Sequence, residues 1–134
     1  MCHGARCYCS QQIESDIAYL KDHGVEISEF WLDIESSDWG SNHTWNTRFI
    51  ERLASKASSL TSARVGIYSS HSQWEPITGD SHDLKQYPLW WATYNYQPSF
   101  SGFVAFGGWK TPFMHQYKGS VGLCGANVDV NWRP

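Results

Sequence analysis

Residues 29–35 read Glu29-Phe-Trp-Leu-Asp-Ile-Glu35, and their strict alternation decides the fold class. Phe30, Leu32 and Ile34 fall on one face, while Trp31, Asp33 and Glu35 fall on the other. A period of two is that of a β-strand. One face is wholly apolar and suits packing against helices; the other carries a ring and two acids. Helical patterns flank the strand. Gln11 to Asp22 places Ile13, Ile17 and Leu20 at helical spacing and stops at His23-Gly24. Trp45 to Leu60 places Phe49, Ile50, Leu53, Ala54 and Ala57 along one face, after a loop over 36–44.

Further along, Val65 to Ser69 reads as a second strand and Leu89 to Tyr94 as a third. Between them lies a mixed stretch in which Pro76 and Gly79 break regular structure. Ser99 to Gly108 is aromatic and glycine-rich, more loop than strand. Phe113–Tyr117 and Val128–Trp132 are short strands four and five. Helix and strand alternating first, then strands alone, suggest parallel β/α units that shed their helices toward the C-terminus, an α/β fold. In a closed β/α barrel the outer strand face packs on helices and the inner face points inward. Asp33 and Glu35 then point inward, with Glu35 at the C-terminal end of its strand, where barrel enzymes keep their catalytic groups.

The 134 residues amount to one ordinary domain, and 41% hydrophobic with 17% charged residues is globular composition. Eight Trp, seven Tyr and six Phe are the unusual feature. Such rings serve first as core; flat rings also stack on the apolar faces of sugars. The net charge of −3 and the lack of a Lys/Arg run give no electrostatic support for a nucleic-acid or anionic-membrane partner. No stretch approaches 18 apolar residues, so no membrane span is expected. The opening MCHGARCYCSQQIES lacks the apolar core of a secretory signal. Cys2, Cys7, Cys9 and Cys124 form no zinc-type pairs. A bridge from one of the first three to Cys124 and a set of unpaired thiols stand as alternatives. Asn42-His43-Thr44 fits a glycosylation acceptor, a pattern that also arises by chance.

Two acids on one strand face converge on one region, about 6.6–6.8 Å apart at their Cα atoms. Repulsion and partial burial raise the pKa of at least one, giving a protonated acid beside an ionised partner. Metal binding is the runner-up, without a His or Cys at ligand spacing nearby; a solvated strand edge is the plain alternative. Asp129 and Asn131 share one face of the last strand. Tyr68, Trp90 and Tyr94 share inward parity in theirs. Closing the sheet would bring all of these to the face of Asp33 and Glu35, a cavity suited to a sugar, although core packing is the better account of Trp90 or Tyr94 taken singly.

FWLDIE at 30–35, VGIYSSHSQW at 65–74, LWWATY at 89–94, FGGWKTPFMHQY at 106–117 and CGANVDVNW at 124–132 resemble, in order and spacing, the secreted eukaryotic branch of glycoside hydrolase family 25 lysozymes. The resemblance implies a TIM-like β/α barrel of eight strands and fewer helices. It implies hydrolysis of the β-1,4 bond between N-acetylmuramic acid and N-acetylglucosamine in bacterial peptidoglycan by an extracellular, monomeric enzyme without metal or organic cofactor. Glu35 matches the general acid, Asp33 its partner that orients the substrate's N-acetyl group, and Asp129 a further acid at the rim. Tyr68, Trp90, Tyr94, Tyr117 and Asn131 are the candidate substrate-binding residues.

The family opens with a strand bearing another active-site Asp, and MCHGARCYC stands where that region belongs. Residues 1–10 are thus expected to be an atypical N-terminus, and 11–134 a partial catalytic domain. Its barrel would be incomplete, lacking the first strands and leaving an unpaired edge. Three readings compete: an active muramidase, a non-catalytic glycan binder that keeps the aromatic cleft, and an inactive remnant.

Overall fold

The computed structural model describes residues 5–35 and 38–134, with side chains from residue 11 onward. In chain order the elements are α1 (Ala5–Asp22), β1 (Glu29–Asp33), α2 (His43–Leu60), β2 (Arg64–Ser69), α3 (His71–Thr78), β3 (Leu89–Ala92), β4 (Met114–Leu123) and β5 (Ala126–Trp132). The five strands form one sheet in the order β1-β2-β3-β4-β5. Pairings from β1 to β4 are parallel, and β4–β5 is antiparallel. Parallel neighbours need crossovers. Helices α2 and α3 provide the first two, and the stretch between β3 and β4 carries no helix.

The period-two pattern sorts the sheet into two faces. Leu32, Ile34, Val65, Ile67, Leu89 and Trp91 are buried on one, in a core with Ile13, Ile17, Ile50, Leu53, Ala54 and Ala57 from α1 and α2. Burying a side chain of this size contributes about 1.5–3 kcal/mol, so this face drives the assembly. Helix α2 starts where Asn42 accepts a hydrogen bond from the Trp45 backbone N–H at 2.9 Å, satisfying one of the free N–H groups of its first turn.

The opposite face is concave. Tyr68 on β2 reaches over β3 to Gln116 on β4, hydroxyl to amide oxygen 2.8 Å. Arg133, just beyond β5, donates to Glu29 of β1 at 2.9 Å. A side chain next to the last strand can meet the first only if the sheet curls. The result is a half-barrel with its helices outside.

Several elements differ from their sequence reading. Helix α1 starts at Ala5 rather than Gln11. The stretch expected to be broken by Pro76 contains α3, with Pro76 inside it and Gly79 as its left-handed cap (φ 67°); proline here forgoes one bond, to Ser72, in a helix only two turns long. Strands four and five are longer than read and form a hairpin. Its turn is Cys124-Gly125, with φ of 51° and 77°, the two positive values of a tight I′ connection. Strand β3 is shorter, ending at Ala92. Cys124 is exposed and unpaired among the described residues; Cys2 and the side chains of Cys7 and Cys9 lie outside them.

Candidate active site

Strand β1 ends with Asp33, and the next two residues leave the ladder in a fixed direction. Ile34 N–H donates to the Tyr68 carbonyl at 2.9 Å, and the Ser69 hydroxyl donates to the Ile34 carbonyl at 2.7 Å. Trp39 Nε1 then donates to the Glu35 carbonyl at 3.1 Å. Glu35 therefore has its backbone held between β2 and the segment leading into α2. Solvent reaches both carboxylates. Partial burial nonetheless raises the Asp33 pKa above the ordinary range. It raises Glu35 as well, with the charge of Asp33 adding to the shift.

From the acids the concave face runs on over β2 to β5 as a wall of rings and amides. Trp90 lies edge-on to Trp31 and Tyr68, with ring centroids 5.7 Å and 5.0 Å away. Its indole N–H donates to Asn131 Oδ1 at 2.9 Å. The Tyr94 hydroxyl stands 3.0 Å from Gln116 Oε1 and 3.4 Å from Asp129 Oδ2. Asp129 is aimed by the Ser120 backbone N–H, which donates to its Oδ1 at 2.9 Å. Burial first, then the charge of Glu35, raises the Tyr68 pKa, so this phenol stays protonated. Tyr94 is raised too, by burial and then by Asp129.

Two glycines make the room. A Cβ on Gly66 would run into the Trp31 ring, which crosses β2 at that point. A Cβ on Gly119 would come within 2.7 Å of the Tyr94 ring.

Asp33, Glu35, Tyr68, Trp90, Tyr94, Asp129 and Asn131 thus share the concave face, Glu35 and Tyr94 from just beyond the ends of β1 and β3 and the others by strand parity. Tyr117 does not join them. Its ring neighbours that of His115 at 6.1 Å, and His115 stacks on Trp91 in the layer beneath the sheet. The alternation that brings Gln116 inward turns Tyr117 away. Gln116 is the residue the sequence reading passed over. It is 6% exposed and accepts from both Tyr68 and Tyr94. Its parity with Met114 in Met114-His-Gln-Tyr117 was the available signal. Among the described residues, no three His, Cys, Asp or Glu side chains are placed to hold a metal ion. No described helix is long and apolar enough to cross a membrane.

A paired acid and carboxylate beside a ring-and-amide wall is equipped to donate a proton to a bound polyol. Comparisons with known proteins agree in kind. A family model described as Lysozyme-like protein 1 matches residues 2–117, beginning inside the stretch 1–10 read above as atypical. Probable GH family 25 lysozyme 4 of Dictyostelium discoideum is 42% identical over 118 residues, covering 88% of this chain and 55% of its own length. Lysozyme-like protein 5 of Caenorhabditis elegans is 38% identical over 127 residues, covering 93% and 59%. Among solved structures, the Clostridium perfringens spore cortex lytic enzyme SleM superposes with a TM-score of 0.77 at 26% identity, over 95% of this chain and 45% of that one. A family GH25 lysozyme from Aspergillus fumigatus shares the fold, with a TM-score of 0.64 at 22% identity over 78% and 50%. The chain spans little more than half the length of these two curated relatives.

Proposed function

The chain belongs to the lysozyme-like family of glycoside hydrolase family 25, and from that premise we propose that it is a muramidase acting on bacterial peptidoglycan. The bond cut is the β-1,4 link between N-acetylmuramic acid and N-acetylglucosamine. The observation that carries this reading is the shared concave face, where Asp33 and Glu35 stand beside Tyr68 and on the same side of the sheet as Trp90, Tyr94 and Asp129.

Glu35 is the proton donor. Burial and the Asp33 charge hold its pKa up, so the acid form persists to higher pH than in a free glutamate. As the C1–O bond breaks, the proton passes to the leaving sugar oxygen. Water then supplies hydroxide to C1, and its remaining proton returns to the Glu35 carboxylate. Asp33, in its ionised form, stabilises the positive charge that builds on the sugar and orients its N-acetyl group. Asp129 and Tyr94 bound the far rim, and no cofactor is required. We place this activity outside the cell, where the polymer lies, and in a monomer, since one chain supplies every group used.

Clearing of bacterial cell walls, followed as loss of turbidity and release of reducing sugar, tests the assignment. Glu35→Gln keeps the shape and removes the proton, so the rate should fall by about 10²–10⁴-fold. An undiminished rate would refute it. A second reading, glycan binding without turnover, draws on the exposure of Glu35. It predicts saturable binding with no reducing ends released.

A further inference from the structure

Gln116 has the geometry of a working residue without a role in the proposed reaction. It lies midway along the concave face, on the strand between the wall that bears Trp90 and the one that bears Asp129 and Asn131. Its carbonyl oxygen receives two phenolic hydroxyls, Tyr68 at 2.8 Å and Tyr94 at 3.0 Å. An amide oxygen has two lone pairs, and both are used. That double contact fixes the amide plane and therefore the direction of the NH2 group.

Among the described residues this NH2 group makes no hydrogen bond, and Nε2 is not one of the fully buried atoms lacking a partner. The residue as a whole is 6% exposed. A nearly buried amide whose oxygen is fully engaged, and whose nitrogen retains access to solvent, presents its donors to the space the concave face encloses. Leaving such a donor unpaired when a ligand excludes water is unfavourable. The ligand that fits must supply an acceptor there.

We propose that Gln116 is a substrate-orienting residue: its oxygen locks Tyr68 and Tyr94 into one wall, and its NH2 group donates to a hydroxyl or acetamido oxygen of the bound glycan. This rests on the glycan reading of the cleft. It adds a specificity element, because a sugar lacking an acceptor at that position would leave the amide unsatisfied.

The test is a titration of the 134-residue chain with a soluble tetrasaccharide of alternating N-acetylglucosamine and N-acetylmuramic acid. Fluorescence of Trp31 and Trp90 reports binding, and a Glu35→Gln background prevents consumption of the probe. Gln116→Met removes oxygen and NH2 at nearly constant length, and should weaken binding about tenfold. Gln116→Glu keeps an acceptor for both tyrosines but has no NH2. It should bind weakly at pH 7 and recover toward pH 4, where its carboxyl gains an O–H donor; the background with Gln116 intact should show no such recovery. A folded Met variant with undiminished affinity, or a Glu variant that tracks the background across pH, overturns the proposal. If the Met variant does not fold, the Glu variant decides. A background protein that binds no tetrasaccharide refutes the glycan reading itself. One that binds, with both variants unchanged, refutes only the role of Gln116.

Discussion

Asp33 serves two opposing requirements. Partial burial beside Glu35 raises its pKa, so the folded chain favours the protonated form while the proposed chemistry uses the ionised one. A raised carboxyl contributes stability that is fully present below the titration of the unfolded aspartate, and that is lost as pH rises through the folded pKa. Asp33→Asn removes the ionisation. It should therefore melt above the wild type at pH 7, and the two curves should converge as pH falls below about 4. Wall clearing at pH 7 should meanwhile drop sharply, since no anion remains to support Glu35. Calorimetry across pH checks the first half, and a variant that melts lower at pH 7 would mean that an attractive partner outweighs burial at the carboxylate. At this scale the acids were legible because alternation alone puts Asp33 and Glu35 on one side of a strand. Gln116 was not, because its parity with Met114 gives its face of the strand but no sign of burial until the sheet curls. Tyr117 drew attention as an aromatic, but parity beside a buried His115 turns it to the other face.

Elements with one clean period were readable, and those built around special backbone positions were not. Strand β1 and helix α2 each carry an unbroken apolar pattern. Helix α3 hid behind Pro76. The β4–β5 hairpin hid behind Gly119, Ser120, Gly122 and Gly125, which look like loop until paired; Ser120 itself is left-handed at φ 57°. Gly66 shows why a glycine can belong inside a strand. It pairs with Trp31 in register, and the Trp31 ring occupies the place a side chain would take. Gly66→Ala has no positive φ to contend with, so its effect is purely one of space. Forcing a methyl against that ring should destabilise the chain by about 1–3 kcal/mol and displace Trp31 toward Trp90. Urea unfolding would measure the loss. A variant as stable as the wild type, with unchanged tryptophan emission, would mean that the ring moves aside freely and is not a fixed part of the cleft.

Over the whole molecule the aromatic surplus divides between two jobs. Trp74, Trp91, Phe106 and Trp109 are buried on the helix side, where Trp74 and Trp109 meet edge-to-face at 4.9 Å. Trp31, Tyr68, Trp90 and Tyr94 line the concave side. Composition could show the surplus but not the division, which depends on how strands pair and how far the sheet curls. The curl brings the distant ends of the sheet together at the bottom, through Arg133 and Glu29, while the upper rim stays open. Tyr94 is 51% exposed, and Asp33, Glu35 and Asp129 are all in contact with solvent. Preorganised charges act strongly only where water is excluded. Among the described residues the rings and amides of the proposed glycan cleft are assembled, but the surroundings that would exclude water from Glu35 and Asp33 are not. The 134-residue chain, assayed as it stands, should therefore bind the glycan yet clear walls about 10²–10³-fold more slowly than a Dictyostelium family 25 lysozyme at equal molarity. Parallel turbidity assays, with binding measured separately, decide the matter. Equal rates would show that the open half-barrel suffices, and would move the source of catalysis from exclusion of water to the carboxylate pair itself.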